Sequence, residues 1–170
     1  MEAAWKAVRR FLAVTPVVAA PQLGPSVSVK VEIVQPTGSF KVRGGLAAVS
    51  ATHDDEPGRA VVAASAGNHG LGLAYAASNL GAEVTVVVPT GASAAKVSAL
   101  QQYDVRLVLH GEGYRDAETH ALELADLAGS RYVSPYNDPD VIAGQATLAR
   151  ELAEQMPRLG TVVVPCGGGG

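Results

Sequence analysis

The sequence predicts an α/β fold in which parallel strands form layers with helices. Two observations lead to this prediction. Short runs rich in valine and alanine recur along the chain, and the segments between them carry apolar residues at helical spacing. Strands and helices that alternate in this way form a parallel sheet covered on both faces, with right-handed crossovers. With 170 residues, 48% of them hydrophobic and 17% charged, the chain can form one sizeable core or two smaller ones.

The N-terminal part of the chain predicts a helix, a strand and a second helix. Ala3–Val14 is predicted to be an amphipathic helix, because its apolar and basic residues fall on opposite sides. Apolar and polar residues alternate in Val27–Ile33, which predicts a strand with one solvent-facing side. A turn at Pro36–Gly38 follows, since proline fixes φ and glycine supplies other backbone shapes. Ser39 is then placed to cap a helix over Phe40–Ala51.

From residue 59 onward, strands and helices alternate regularly. The predicted strands are Arg59–Ala64, Glu83–Val88, Val105–Leu109, Arg131–Val133 and Thr161–Val164. The predicted helices are Asn68–Leu80, closed by Gly81, Ala94–Gln102, Tyr114–Ala128, closed by Gly129, and Val141–Met156, opened by Asp138 and Pro139. Ligands of such sheets bind beyond the carboxyl ends of the strands. Three candidate site segments follow predicted strands: Ser65–Gly70, Pro135–Asp138 and Cys166–Gly170.

Lys41 is the first candidate for chemistry. It lies in the first turn of the predicted helix, where the positive end of the helix dipole and the nearby cation of Arg43 favour its neutral form. A lysine amine that loses its proton easily can form a Schiff base with an aldehyde. On position alone, a solvated surface lysine is the simpler interpretation.

A glycine-rich turn, Ser65-Ala66-Gly67-Asn68-His69-Gly70-Leu71-Gly72, lies between a predicted strand and a predicted helix. Backbone N–H groups at such a helix start attract phosphate or carboxylate. The glycine spacing is inverted relative to the dinucleotide fingerprint, and the next strand ends in Val88-Pro89-Thr90 with no acidic residue for a ribose. The turn therefore predicts an anion site that is not a dinucleotide site. A turn needed only for packing is the alternative, and a lone histidine such as His69 is more often structural than catalytic.

Three motifs of this chain resemble, in their order and spacing, those of one enzyme family. They are the lysine motif Pro36–Gly44 (PTGSFKVRG), the turn Ser65–Gly70 (SAGNHG) and the terminal glycines Gly167–Gly170. From about Thr15 to the last residue, the chain resembles the fold-type II pyridoxal-phosphate enzymes, in particular the threonine/serine dehydratase branch. The resemblance implies two three-layer αβα parallel-sheet domains of the tryptophan synthase β-like architecture.

The resemblance also implies how the chain is divided. Residues 1–58 would begin a large domain that carries Lys41, and residues 59–139 would form a small mobile domain. Residues 140–170 would return to the large domain and end in the phosphate-binding glycine loop. The second half of the large domain is then missing, so we expect this chain to be the N-terminal portion of a longer protein.

By resemblance, the three motifs bind pyridoxal 5′-phosphate and an amino acid. Lys41 would hold the cofactor as a Schiff base, with Phe40 packed beside its ring and Asn68 hydrogen-bonded to its phenolic oxygen. The phosphate would be surrounded by Gly167, Gly168, Gly169 and Gly170. The substrate carboxylate would be bound by the turn residues Ser65, Ala66, Gly67, Asn68 and His69.

The implied reaction is β-elimination from a hydroxy amino acid. L-threonine would give 2-oxobutyrate and ammonia, and L-serine would be the second substrate. Related serine racemases carry a serine where this chain has Ala66, which has no transferable proton, so racemisation should be poor. Threonine synthase and β-replacement enzymes usually carry an acid at the position of Val42 and tend to have threonine at that of His69. A non-catalytic phosphate- or nucleotide-binding module is the alternative from another class.

Composition and charge restrict the partners. The net charge of −3 predicts no surface for nucleic acid, and no long apolar run predicts a secretory signal or a membrane helix. The single cysteine, Cys166, cannot form an internal disulfide. We therefore expect a cytoplasmic enzyme without a metal site. The resemblance adds a small amino-acid substrate and a homo-oligomer of two or four copies.

Overall fold

The computed structural model describes residues 1–165, which contain six α-helices and six strands. The helices are α1 (Glu2–Phe11), α2 (Lys41–Asp55), α3 (Asn68–Leu80), α4 (Ala94–Leu100), α5 (Tyr114–Ala128) and α6 (Pro139–Gln155). The strands are β1 (Val17–Ala19), β2 (Ser28–Lys30), β3 (Val61–Ala64), β4 (Val84–Val88), β5 (Arg106–Leu109) and β6 (Arg131–Tyr132). One 3₁₀ turn, Glu32–Val34, follows β2.

A four-stranded parallel sheet forms the centre of the region from β3 to β6. Its strand order is β5-β4-β3-β6. Val61 and Ala63 pack with α3 and α4 on one face, while Val62 and Ala64 pack against α5 on the other. Every residue of β3 is buried, as expected for a strand that helices cover on both sides. The prediction of an α/β fold with a parallel sheet is confirmed.

Local chemistry sets several helix ends where the sequence predicted them. Gly81 and Gly129 close α3 and α5 with left-handed φ angles of 65° and 63°, a conformation that glycine adopts without steric cost. Asp138 Oδ1 accepts hydrogen bonds from the N–H groups of Asp140 and Val141 and so caps α6. These ends are predictable because each depends on one residue and its immediate neighbours.

Glycines bring α2 into backbone contact with the helices on both of its sides. A β-carbon added at Gly72 of α3 would lie 2.7 Å from the carbonyl oxygen of Lys41, and one added at Gly45 would collide with the backbone of Gly72. On the other side, a β-carbon at Gly144 of α6 would lie 2.6 Å from the carbonyl oxygen of Arg43. Because these contacts leave no room for a side chain, they hold the start of α2 at a fixed distance from α3.

A buried ion network joins α2 to α6 and to the segment after β2. Arg43 is fully buried, and it donates to the two oxygens of Glu32 at 2.8 and 2.9 Å and to the two oxygens of Glu151 at the same distances. Lys30 Nζ donates to Glu151 Oε2 at 2.6 Å, and Arg43 also donates to Thr147 Oγ1 at 3.2 Å. Each of these charges contacts an opposite charge, which is the condition for burying an ion.

The strand predicted at Val27–Ile33 is wrong in its length. Only Ser28–Lys30 form a strand, and they pair antiparallel with β1, a strand that was not predicted. β1 begins directly after Pro16, which has no N–H to continue the ladder. After β2 the chain turns at Glu32–Val34, where Glu32 contacts Arg43.

The strand predicted at Thr161–Val164 is also wrong. Residues 161–165 are irregular and pair with no strand of the described chain, and Val163 is 90% exposed. Apolar residues alone do not make a strand, because a strand needs a neighbour to receive its backbone hydrogen bonds. Within residues 1–165, no helix is both long and apolar enough to cross a lipid bilayer. The domain boundaries at residues 58 and 139 stay a prediction.

Candidate functional site

The start of α2, the turn after β3 and the loop after β6 meet at the carboxyl edge of the sheet. Lys41 Nζ donates to the carbonyl oxygen of Pro135 at 3.2 Å, and His69 Nε2 lies 3.1 Å from the carbonyl oxygen of Val133. Gly72 lies directly against the backbone of Lys41. Two of the three candidate segments, Ser65–Gly70 and Pro135–Asp138, are thus brought together with Lys41 where ligands of parallel sheets bind.

The amine of Lys41 is partly buried and lies near two aromatic rings. Nζ is 5.5 Å from the centre of the Phe40 ring and 5.6 Å from the centre of the Tyr136 ring. Within residues 1–165 its hydrogen-bond partner is a neutral carbonyl oxygen rather than a carboxylate. Burial lowers the pKa of Lys41, because the charged amine loses part of its hydration. A larger neutral fraction makes this amine a better nucleophile.

Arg43 does not act on Lys41 as predicted. We expected its cation to favour the neutral form of Lys41, but Glu32 and Glu151 neutralise the guanidinium, and the pKa of Lys41 is lowered by burial. The N-cap residue of α2 is Phe40 rather than the predicted Ser39, although Ser39 Oγ still accepts the N–H of Lys41 at 3.3 Å. The helix begins at Lys41, one residue later than predicted.

Ser65 shapes the glycine-rich turn from within. Its Oγ accepts hydrogen bonds from the N–H groups of Gly67 at 3.1 Å and Gly70 at 3.0 Å. Because these bonds occupy both lone pairs, the hydroxyl proton is left to donate, and its nearest acceptor is the Gly67 carbonyl oxygen at 3.5 Å. The N–H groups of Asn68 and His69, the first two residues of α3, make no hydrogen bond within the described part of the chain. The turn therefore presents three donors to an anion.

His69 lies buried beneath this turn as a neutral side chain. Its Nε2 donates to the carbonyl oxygen of Val133, which leaves Nδ1 as an acceptor. Burial lowers the pKa of His69 to about 4, and the charge of Lys41 acts in the same direction. The ring is therefore uncharged near neutral pH. Asn68 beside it is exposed.

Two residues of the loop after β6 belong to the site without having been singled out from the sequence. Pro135 supplies the carbonyl oxygen that accepts a hydrogen bond from the Lys41 amine, and the ring of Tyr136 lies near that amine, as does the ring of Phe40. The sequence marked the segment Pro135–Asp138 only by its position after a strand. Nothing local to the loop indicates its contact with a helix that begins 94 residues earlier.

Four buried polar side-chain atoms lack a hydrogen-bond partner within residues 1–165, and they belong to three residues of this region. They are Thr37 Oγ1, His69 Nδ1 and both amide atoms of Gln145. Thr37 lies in the turn before α2, and the Gln145 amide packs on Gly44, one turn beyond Lys41. An unpaired buried polar atom is costly, so Thr37 Oγ1 before the start of α2 and His69 Nδ1 beneath the turn after β3 are groups that a polar ligand bound at Lys41 would pair. A compact polar cofactor with an aldehyde fits this arrangement around an amine.

Part of the predicted site lies outside the described residues. Cys166 and the predicted phosphate loop Gly167–Gly170 follow residue 165, so their contacts remain predictions. The cofactor role of Asn68 and the substrate roles of Ala66 and Gly67 are likewise still predictions. The geometry places the turn that carries them beside Lys41.

Comparison with known proteins identifies relatives of this chain. The family model described as pyridoxal-phosphate dependent enzyme matches residues 8–170. A catabolic L-threonine dehydratase of Escherichia coli (strain K12) is 42% identical over 141 residues, which cover 83% of this chain and 43% of that protein. An L-threonine ammonia-lyase of Thermotoga maritima is 41% identical over 147 residues, which cover 86% of this chain and 37% of that protein.

Solved structures of similar fold include two racemases. A pyridoxal 5′-phosphate-dependent aspartate racemase superposes with a TM-score of 0.86 at 36% identity, over 93% of this chain and 51% of that one. The maize serine racemase gives a TM-score of 0.86 at 28% identity, over 92% of this chain and 49% of that one. The chain thus spans about half or less of the length of these relatives. The predicted fold-type II architecture is confirmed.

Proposed function

We propose, because this chain belongs to the family of pyridoxal-phosphate dependent enzymes, that its protein eliminates water from a hydroxy amino acid. L-threonine would give 2-oxobutyrate and ammonia, with L-serine as the second substrate. One observation carries the proposal: a half-buried Lys41 amine, bound by a neutral carbonyl, lies beside a turn whose free donors suit a carboxylate. The relatives named for L-threonine support this choice of substrate.

Pyridoxal phosphate fits the residues around Lys41. The Lys41 amine would hold the cofactor, and the rings of Phe40 and Tyr136 would flank it. Asn68 would contact its phenolic oxygen, and Gly167–Gly170 would surround its phosphate. The unpaired polar atoms nearby support the fit, since a polar ligand would give them partners. When bound, the cofactor supplies an electron sink for the carbanion that forms at the substrate α-carbon.

The turn after β3 would bind the substrate carboxylate. Ser65 would donate its hydroxyl proton, because the oxygen already accepts two N–H groups, and the N–H groups of Asn68 and His69 would add two further donors. These groups lie at the start of α3, where the helix dipole favours an anion. The carboxylate would then fix the α-carbon near Lys41, whose Nζ would remove the α-proton.

A second candidate reaction is racemisation, which the likeness to two racemase structures favours. Ala66 counts against it, because a methyl group carries no proton to deliver to the face of the α-carbon opposite Lys41. We therefore expect ammonia release from L-serine to be faster than formation of D-serine. Chiral chromatography of the reaction mixture beside an ammonia assay measures both rates, and faster D-serine formation would replace the lyase proposal by a racemase one.

The decisive experiment compares Lys41→Ala with Lys96→Ala in the longest form of the protein, supplied with pyridoxal phosphate. Lys96 is an exposed lysine of α4, so its loss should leave turnover unchanged. We expect Lys41→Ala to lower 2-oxo acid release from L-threonine by about 10³-fold or more, because it removes both the cofactor attachment and the base. Full turnover in Lys41→Ala would refute the mechanism. A cofactor bound to Lys41 without 2-oxo acid release would instead favour synthase or β-replacement chemistry.

We further propose that the protein is a cytoplasmic homo-oligomer of two or four copies. Support comes from the family resemblance. Sedimentation equilibrium of the longest form of the protein tests the assembly, and a monomer at micromolar concentration would contradict it.

A further inference from the structure

A cluster of three tyrosines and one glutamate lies beside the site, and of its members only Tyr136 has a place in the proposed function. Glu118 of α5 accepts two hydrogen bonds on the same oxygen, Oε1. One comes from the hydroxyl of Tyr114 at 3.0 Å, and the other comes from the hydroxyl of Tyr132 at 3.1 Å. One carboxylate oxygen thus joins the first turn of α5 to β6.

The cluster continues to the Lys41 amine through Tyr136. The rings of Tyr114 and Tyr136 meet edge to face, with their centres 6.5 Å apart and their planes at 67°. The Tyr136 ring also lies near Lys41, whose Nζ is 5.6 Å from the ring centre. Nζ is 5.5 Å from the centre of the Phe40 ring. We call the amine and these two rings the Lys41 slot; Phe40 belongs to the turn before α2, and Tyr136 belongs to the loop after β6.

We propose that Glu118 is a positioning residue that holds Tyr136 against the Lys41 slot by fixing Tyr114 and Tyr132. Glu118 itself touches neither Lys41 nor the turn after β3. Tyr136 needs such support because its loop begins after a strand of two residues and its own contact with Tyr114 is an edge-to-face ring contact. Ring contacts of this kind have a preferred geometry, so the orientation of one ring restrains the other.

Both phenols remain donors over the range of pH in which an enzyme works. Burial raises the pKa of Tyr132 to about 12, and burial also raises the pKa of Tyr114 above its usual value. Neither hydroxyl therefore loses its proton near neutral pH, and Glu118 keeps both hydrogen bonds. The assignment of the slot to a cofactor rests on the proposed function, but the position of Tyr136 relative to Lys41 does not.

The test uses Glu118→Leu and Glu118→Gln, with Glu123→Leu as control. Glutamine keeps an acceptor oxygen at the position of Oε1, whereas leucine of similar size removes it. Glu123 lies on the same helix, and its side chain is 63% exposed with His120 as its partner, so its loss should not reach Tyr136. Tyr114→Phe removes one hydroxyl and keeps the ring contact.

The first readout does not need the cofactor. Reductive methylation with ¹³C-formaldehyde places methyl groups on Lys41 Nζ, and their NMR shift reports the ring currents of Phe40 and Tyr136. We expect Glu118→Leu to move this resonance, while Glu118→Gln and Glu123→Leu leave it at the wild-type position. The second readout is the affinity of the Lys41-bound cofactor, followed by absorbance, which we expect to fall by about 3–10-fold in Glu118→Leu and by less in Tyr114→Phe.

An unchanged Lys41 resonance in Glu118→Leu would overturn the proposal, whatever the cofactor does. The proposal is also wrong if Glu118→Gln behaves like Glu118→Leu, because the acceptor oxygen would then not be the relevant group. If the resonance moves as expected but wild-type protein attaches no pyridoxal phosphate to Lys41, the positioning role stands and the proposed function fails.

Discussion

Two cations stand two residues apart on α2, and their surroundings differ in almost every respect. The guanidinium of Arg43 is fully buried and donates five hydrogen bonds, four of them to the carboxylates of Glu32 and Glu151. The amine of Lys41 is partly exposed and donates one hydrogen bond to a carbonyl oxygen. Carboxylates in contact with Arg43 balance its charge, whereas the hydrogen-bond partner of Lys41 is a neutral carbonyl oxygen.

The difference separates a part of the fold whose buried charges are all paired from a part whose unpaired polar atoms are available to a ligand. Around Arg43 every buried charge has an opposite charge in contact, so the α2–α6 interface needs nothing further. Around Lys41, the unpaired atoms of Thr37, His69 and Gln145 remain. A functional site differs from a structural ion network in this respect, because its groups must keep bonding capacity for a substrate or cofactor.

The largest loss of stability should come from Arg43→Met, which removes the guanidinium from the buried ion network. Methionine fills much of the space but leaves Glu32 without its cationic partner and Glu151 with Lys30 alone. Loss of one member of a buried ion network costs roughly 3–5 kcal/mol, so we expect the free energy of unfolding to fall by about that amount. Urea denaturation measures it. Arg150→Met serves as the control, because Arg150 forms its ion pairs at the surface, and an equal loss in both variants would contradict the comparison.

A smaller effect is expected where α2 touches α3. Gly72→Ala would place a β-carbon 2.7 Å from the Lys41 carbonyl oxygen, so one of the two helices must move. Overpacking of this kind costs about 1–3 kcal/mol. The change should also weaken cofactor attachment to Lys41, because the amine moves relative to the turn after β3. Gly160→Ala is the matched control, since no atom lies within 4 Å of its added carbon. Urea unfolding and cofactor titration are measured for both variants, and equal losses in the two would contradict the role of the contact between α2 and α3.

The smallest effect concerns acid stability. Burial alone would raise the pKa values of Glu32 and Glu151, but the hydrogen bonds and charge of Arg43, together with the hydrogen bonds of neighbouring groups, outweigh it and lower both. A carboxylate with a depressed folded-state pKa stabilises the fold above its unfolded pKa, near 4.3, and loses that contribution as the pH falls through the folded value. We therefore expect the free energy of unfolding to fall as the pH is lowered through this range. The dependence should be weaker in Arg43→Met, and an identical pH profile in both proteins would show that Arg43 does not lower these pKa values.

Much of the fold was predictable because its signals are local. The valine runs of β3 and β4, the left-handed glycines Gly81 and Gly129 and the capping Asp138 each act through neighbouring residues. The turn before Lys41 is of the same kind, with Gly38 at a φ of 71° and its N–H bound to Gln35. Such features depend little on the rest of the chain.

The parts that could not be predicted depend on contacts between distant segments. Arg43 was assigned to Lys41 because the two are neighbours in sequence, yet the residue that decides its charge environment, Glu151, lies 108 positions away. Tyr136 is marked in the sequence only as part of the segment Pro135–Asp138, because only the folded chain brings its ring to Lys41. The apolar run Thr161–Val164 predicted a strand, but a strand also requires a partner that no periodicity reveals.

The pairing of β3 with β6 has a consequence for the order of folding. The N–H of Arg131 donates to the carbonyl oxygen of Ala60 at 2.9 Å. The first and last strands of the parallel sheet in chain order, β3 and β6, are therefore neighbours in the sheet. Once this pair has formed, about 70 residues no longer count toward the loop that Arg43 and Glu151 close, and its entropic cost falls accordingly. The topology thus favours early formation of the sheet and late docking of α6 on α2. When α6 docks, the loop that the Arg43–Glu151 ion pair closes is therefore effectively shorter than in the unfolded chain.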